Sequence, residues 1–336
     1  MTHLLPSLPF SRSSGCVLAL AGLTVFNLSP AVAAQAQAVV GVQSLDRGKQ
    51  ALAFLPNELW VHVGDSVTWT FITDEKHTVT FLKPGQNRPP FTAGCPGTSP
   101  DGSSYDSTAC LNSGPLVGRL SYTVNFPKAG NFRLVCLVHV DMTGMIHVLE
   151  VSDALPHDKA FYDRQMRLEG SELLSDAARL EGRGIATAER TAENEVSAGI
   201  SEIVATTGGG SHSAAVMRFL RETTIVRVGD TVEWTNLGPT VGHTVTFGLE
   251  PADPVTAPPS PGVTQDADGA LHAVIGSPAD SVHSGILRPA PEERVGLAQA
   301  PPGITKFRVT FTTSGIFHYI CALHDDLGMV GTVIVQ

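Results

Sequence analysis

The chain has 336 residues, enough for two ordinary domains that each bury a core. Lys and Arg number 22 against 32 Asp and Glu, a balance of −10, and no basic cluster is present to displace counterions from phosphates. That composition excludes a nucleic-acid partner, and at 42% hydrophobic and 16% charged it is globular.

Residues 1–34 read as an export signal. Arg12 is the first charge after the N-terminal residue, "CVLALAGLTVF" (16–26) is an apolar run too short to span a membrane, and Ala31-Val32-Ala33 offers a small-residue cleavage site. A soluble protein exported to the periplasm or the extracellular space is expected.

An ordered internal repeat follows. "VHVGDSVTWTF" (61–71) matches "VRVGDTVEWTN" (226–236), and "KHTVTF" (76–81) matches "GHTVTF" (242–247). "YTVNFPKAGNFRLVC" (122–136) matches "FRVTFTTSGIFHYIC" (307–321). Each block alternates apolar and polar residues. Val67, Trp69 and Phe71 share one face, while Ser66, Thr68 and Thr70 share the other. Gly64-Asp65 and Gly229-Asp230 punctuate the strands as turns. The pattern predicts an all-β protein built as two Greek-key β-sandwiches, with domains at 35–152 and 199–336.

Between the repeats, residues 153–198 change character. Ala, Leu, Glu and Arg accumulate, and a broken helical period runs through Phe161, Met166, Leu168, Leu173 and Leu174. One or two helices are expected there, interrupted near Gly182 and Gly184 and serving as a spacer or brace. "TTGGGSHS" (206–213) reads as a flexible joint, and the Pro-rich stretch 250–269 as an insertion in the second copy. Cys95 and Cys110 flank a polar Gly/Ser/Asp loop. In an oxidising compartment they are expected to pair, which would stabilise by roughly 3 kcal/mol; two separate surface thiols is the alternative.

The chemistry lies in a second repeated pattern. His77, Cys136, His139 and Met142 in the first copy correspond to His243, Cys321, His324 and Met329 in the second. Two imidazoles, a thiolate and a weak axial thioether suit a copper site. Calcium or magnesium would want oxygen donors, and structural zinc usually draws on more thiolates. Met145 is an alternative axial donor to Met142. The remaining histidines, His62, His147, His212, His272, His283 and His318, have no repeated partner and read as surface or satisfied strand residues.

With these residues in view, both copies resemble cupredoxins, the plastocyanin/azurin/amicyanin family of type 1 (blue) copper proteins. "CALHDDLGMVGTVIV" resembles the plastocyanin ending, and "CLVHVDMTGMIHV" is similar to the amicyanin ending. The resemblance implies two type 1 copper ions per chain, held by the eight residues above. It also implies electron transport between redox protein partners. Where those families carry Asn after the first His, this chain has Thr78 and Thr244, whose hydroxyls are expected to tie the two ligand loops together. Electron exit is expected through the more exposed His139 or His324.

Two-domain copper oxidases and nitrite reductases of this type add His-x-His pairs and a His beside the type 1 Cys. This chain has neither, which points to an electron carrier and away from an enzyme. A copper-binding or delivery protein without redox exchange is the alternative from another class.

Overall fold

The computed structural model describes residues 33–89, 95, 97–139, 141–205, 210–288 and 304–336. The expected export signal therefore falls almost wholly outside the described residues. The first half contributes β1 (Gln35–Gln43), β2 (Lys49–Leu55), β3 (Glu58–His62), β4 (Ser66–Phe71), β5 (Thr80–Phe81), β6 (Ser103–Ser104), β7 (Leu111–Asn112), β8 (Ser121–Asn125), β9 (Gly130–Val135) and β10 (Thr143–Leu149). Helix α1 spans Lys159–Ala188. The second half contributes β11 (Glu195–Ala205), β12 (Ser211–Leu220), β13 (Thr223–Val226), β14 (Thr231–Thr235), β15 (Thr246–Phe247) and β16 (Thr264–Gln265). It continues with β17 (Leu271–Ile275), β18 (Val282–His283), β19 (Lys306–Phe311), β20 (Gly315–Ile320) and β21 (Val330–Val335).

The halves repeat one another in pairing as well as in sequence. In the first, β3, β10, β9, β5 and β7 lie side by side; in the second, β13, β21, β20, β15 and β18 do the same. Each set faces a second layer, in which β1–β4–β8 corresponds to β11–β14–β19. Alternation drives this: on β19, Phe307, Val309 and Phe311 are fully buried between half-buried neighbours, and Trp234 on β14 packs against Phe307. Trp69 and Phe81 meet edge-on at the same place in the first half, as Trp234 and Phe247 do in the second.

The two layers fuse into one sheet across the molecule. β2 and β12 pair antiparallel, with Ser213 opposite Leu52, Ala214 opposite Ala51 and Ala215 opposite Gln50. Both strands are apolar on both faces, as a strand covered on two sides must be. Leu52, Phe54, Ala215 and Met217 face the first half's core, whereas Ala51, Ala53, Leu55, Ala214 and Val216 face α1. Val241 and Leu327 of the second half join the first half's core as well.

Helix α1 is a single 30-residue element, where one or two interrupted helices had been expected. Asp158 caps it, accepting from the Phe161 N–H at 2.8 Å. The glycines do not break it because its context is packed: Leu173 sits among Ala51, Ala53 and Leu55, and Ala177 and Leu180 sit on Ala214, Val216 and Leu220. At Gly184 a β-carbon would come within 2.3 Å of Leu220, so glycine there lets the helix lie close on the sheet. Within the stretch 206–213, read as a flexible joint, the described C-terminal part is strand. Ser211 to Ser213 belong to β12 and pair with Ala205, Val204 and Ile203, while 206–209 lie outside the described residues. Cys95 and Cys110 form a disulfide with Cα atoms 5.6 Å apart. No helix among the described residues is long and apolar enough to cross a membrane.

Candidate metal centres

Each site assembles from two strand ends. His77 and His243 precede β5 and β15, each in an isolated bridge to Leu116 or Leu287. Cys136 and Cys321 follow the last residues of β9 and β20, and the turn behind each cysteine carries the second histidine and a methionine. Backbone bonds close that turn identically: Cys136 N–H donates to the Met142 carbonyl at 2.9 Å, and Cys321 N–H to the Met329 carbonyl at 3.0 Å.

In the first site the Nδ1 atoms of His77 and His139 lie 3.1 Å apart, and 4.0 and 3.7 Å from Cys136 Sγ. In the second, the Nδ1 atoms of His243 and His324 are 3.2 Å apart, and 3.8 and 3.3 Å from Cys321 Sγ. Within each set the donor atoms fall within 4.8 Å of one another, and all six residues are buried. Met142 and Met329 are fully buried in the same turns. Met145 instead lies along β10 opposite Arg133 and Glu58, half-buried, so Met142 is the thioether that shares the interior with Cys136.

Thr78 and Thr244 perform the tie expected of them. The Leu137 N–H donates to Thr78 Oγ1 at 2.8 Å, and the Ala322 N–H to Thr244 Oγ1 at 2.7 Å. Their own amides point at sulfur, Thr78 N to Cys136 Sγ at 3.4 Å and Thr244 N to Cys321 Sγ at 3.3 Å. Behind them run Thr80 and Asn112 in one half, Thr246 and His283 in the other. His283 is thus a structural partner. His62, His147, His272 and His318 likewise bond to Asp153, Glu58, Asp266 and Thr332.

His139 and His324 are the less buried histidine of each pair, His77 keeping 0% and His243 2%, but only by a small margin. Neither is exposed: His139 and His324 retain 2% and 3% of their accessible surface. The two ligand turns face a common interior carboxylate, Glu75, whose Oε1 lies 3.4 Å from His139 Nε2 and whose Oε2 lies 3.5 Å from His324 Nε2. Glu75 is 6% exposed. Burial pushes its carboxyl up, but the facing imidazoles His324, His139 and His77 win and hold it down to about 2. Burial likewise pushes His139 down, and the Cys136 and Glu75 contacts outweigh it, raising it to about 9. The Cys136 thiol is held well below its ordinary range by the same two histidines, against burial. His324 stays below its ordinary value because burial outweighs the attraction of Glu75.

Sequence reasoning missed Glu75, Gly41, Gly199 and Arg88. Gly41 and Gly199 occupy matching bulges in β1 and β11, at φ +70 and +75, where a β-carbon would come within 2.9 Å of His77 Nε2 or 2.2 Å of His243 Nε2. The shared glycine in "VVGVQ" and "SAGIS" was the available signal. Arg88 donates to the His139 carbonyl at 2.8 Å and has no counterpart in the repeat.

Two cysteine sulfurs and four imidazoles converge in two buried clusters, each with a buried methionine in the same turn, a donor chemistry that suits copper at two sites. Residues 205–336 match the family model described as copper binding proteins, plastocyanin/azurin family.

Among solved structures, the chain is similar to a reduced amicyanin mutant at 22% identity, covering 34% of this chain and 81% of that one with a TM-score of 0.23. Auracyanin A from Chloroflexus aurantiacus matches at 21% identity over 34% of this chain and 97% of that one, TM-score 0.24. The multicopper oxidase mgLAC matches at 13% identity, spanning 91% of this chain and 87% of that one, TM-score 0.22. No curated protein matches in sequence.

Proposed function

We propose that the protein is an exported electron carrier with two type 1 copper centres, one in each half, passing single electrons between protein partners. The observation that carries this reading is the pair of equivalent, fully buried Cys/His/His sets, each with a methionine closing the same turn. Bound copper supplies reversible one-electron chemistry between its cuprous and cupric states. His77, Cys136, His139 and Met142 would hold one ion, and His243, Cys321, His324 and Met329 the other.

The protein's own part is rigidity and exclusion of water. Each histidine ring is fixed by packing, and each thiolate receives an amide N–H from the neighbouring ligand loop, which disperses its charge. Donors anchored at strand ends move little when the charge between them changes. The disulfide between Cys95 and Cys110 agrees with an oxidising compartment.

The test is direct. Oxidised, copper-loaded protein should bind two copper ions per chain and show the intense visible absorption of copper–thiolate bonds. Cys136→Ser and Cys321→Ser should each remove about half of it, and a small redox protein should exchange electrons with the wild type in stopped flow. A protein that binds copper yet stays colourless, or that exchanges no electrons, would be a copper handler instead.

A further inference from the structure

The two halves are repeats, yet they differ where it matters most for communication between them. Immediately upstream of the first histidine, the first half has Glu75-Lys76-His77 and the second has Val241-Gly242-His243. Val241 packs into the first half's apolar core. Glu75, at the matching position, is a buried carboxylate, and among the described residues its ion-pair partners are His139 and His324, one from each site.

A carboxylate in an interior costs several kcal/mol unless its charge is met. Fold stability alone would be served by an apolar residue, as it is at Val241. What a carboxylate offers here is two acceptor oxygens, pointed in different directions. In both sites Nδ1 faces the sulfur, which leaves each Nε2–H as the outward donor. The Nε2 atoms of His139 and His324 are the two that Glu75 meets, through different oxygens. The main chain of Glu75 is tied locally, since Thr73 Oγ1 donates to the Glu75 main-chain carbonyl at 3.2 Å. The β2–β12 pairing and α1 hold the halves together around it.

We propose that Glu75 is a positioning residue that bridges the two centres, joining His139 to His324 so that one electron can pass between the sites inside the molecule. This rests on the reading of the sites as redox centres. In the step, the copper held by one donor set would lose one electron and the copper held by the other would gain it. The Nε2–H protons stay on their rings and Glu75 stays ionised, so no outside reactant is needed. Both histidines are buried, and Glu75 is the carboxylate that their two Nε2 atoms share.

The bridge itself is read without redox chemistry. In the full chain loaded with zinc, NMR should show slowly exchanging Nε2–H protons on His139 and His324, sheltered by Glu75. Glu75→Gln, which keeps one acceptor oxygen, should speed exchange at one or both, and Glu75→Val should do so at both. Nε2–H exchange unchanged in Glu75→Val overturns the proposal whatever the protein carries.

Transfer is read in the two-copper protein, with the first centre marked spectrally by Met142→Gln. After a sub-stoichiometric electron pulse, equilibration between the two bands should slow by about tenfold or more on adding Glu75→Gln. Both midpoint potentials should rise, because an anion beside each imidazole favours the more positive metal state. An unchanged equilibration rate overturns the bridge while leaving the electron carrier intact. Failure of every variant to accept electrons removes the carrier reading and the transfer together.

Discussion

Gly199→Ala is the sharpest single test of how the second site is built. Gly199 sits in the β11 bulge, between Ala198 and Ile200, at φ +75. An alanine there adopts a left-handed backbone at a cost of about 1–2 kcal/mol. Its β-carbon would also lie 2.2 Å from His243 Nε2 and 2.9 Å from both Cδ2 and Cε1. Ordinary contact is about 3.5 Å, so the ring must retreat by about 1.3 Å. Donor atoms around a bound metal tolerate roughly 0.2 Å. The imidazole therefore leaves its position before the backbone does, and overpacking adds about 1–3 kcal/mol to the backbone cost. We expect copper affinity at the second site to fall by about 10–100-fold or more, with the first site intact. A copper titration followed by visible absorption should show one strong site carrying half the wild-type intensity. Two wild-type sites in Gly199→Ala would refute the argument that this bulge sets the position of His243. Gly41→Ala should weaken the first site more gently, because its contact with His77 Nε2 is 2.9 Å.

Three further outcomes follow from the packing. Replacing both Cys95 and Cys110 by Ala opens a loop with a sequence separation of 15, and urea unfolding should show a loss of about 3 kcal/mol with the visible spectrum unchanged. Leu173→Ala should cost about 2–4 kcal/mol, since Leu173 fills the space under Ala51, Ala53 and Leu55, and copper stoichiometry should stay at the wild-type value. His212 on β12 is buried with Nδ1 unpartnered among the described residues, and burial pushes it down from 6.5 to about 4. The folded state thus disfavours its charged form. The stability that this neutral ring supports is complete above pH 6.5 and is lost as pH falls toward 4, by about 2 kcal/mol once partial exposure is allowed for. Metal-free His212→Gln should lose that much less stability than wild type between pH 7.5 and 4.5; equal losses would show that His212 is not the group responsible.

Much of this architecture was legible because the same physical demands are met twice. Trp69 and Trp234, Cys136 and Cys321, and Thr78 and Thr244 occupy equivalent surroundings, and local alternation was enough to place their strands. The interruption expected in α1 failed because helix propensity was weighed without its partner surface. Gly170 and Gly184 are tolerated where they let the helix approach Val42, Leu55 and Leu220. The seam was readable in principle: "ALAFL" in β2 and "AAVM" in β12 are apolar without alternation, which marks strands covered on both faces. Glu75 was hidden for the opposite reason. A motif search by repetition finds what the halves share, and Glu75 is one of the places where they part.

The join between the halves explains why His139 and His324 are not exposed. In an isolated sandwich, a ligand turn beyond the last strands would end in solvent. Here β2 and β12 join the layers by main-chain bonds, and α1 seals the join through Leu173, Ala177 and Leu180. Arg218 adds a clamp, donating to the Asp46 carbonyl in the first half and the Leu327 carbonyl beside His324 in the second, at 2.6 Å each. The distance between the sites is therefore set by the fold and not by a tether. A flexible linker would let His139 and His324 separate, and Glu75 would then carry an unmet charge into water. With the sheet continuous, one carboxylate can serve both rings at once, which is why a glutamate is tolerable at a position where the repeat's other copy keeps a valine.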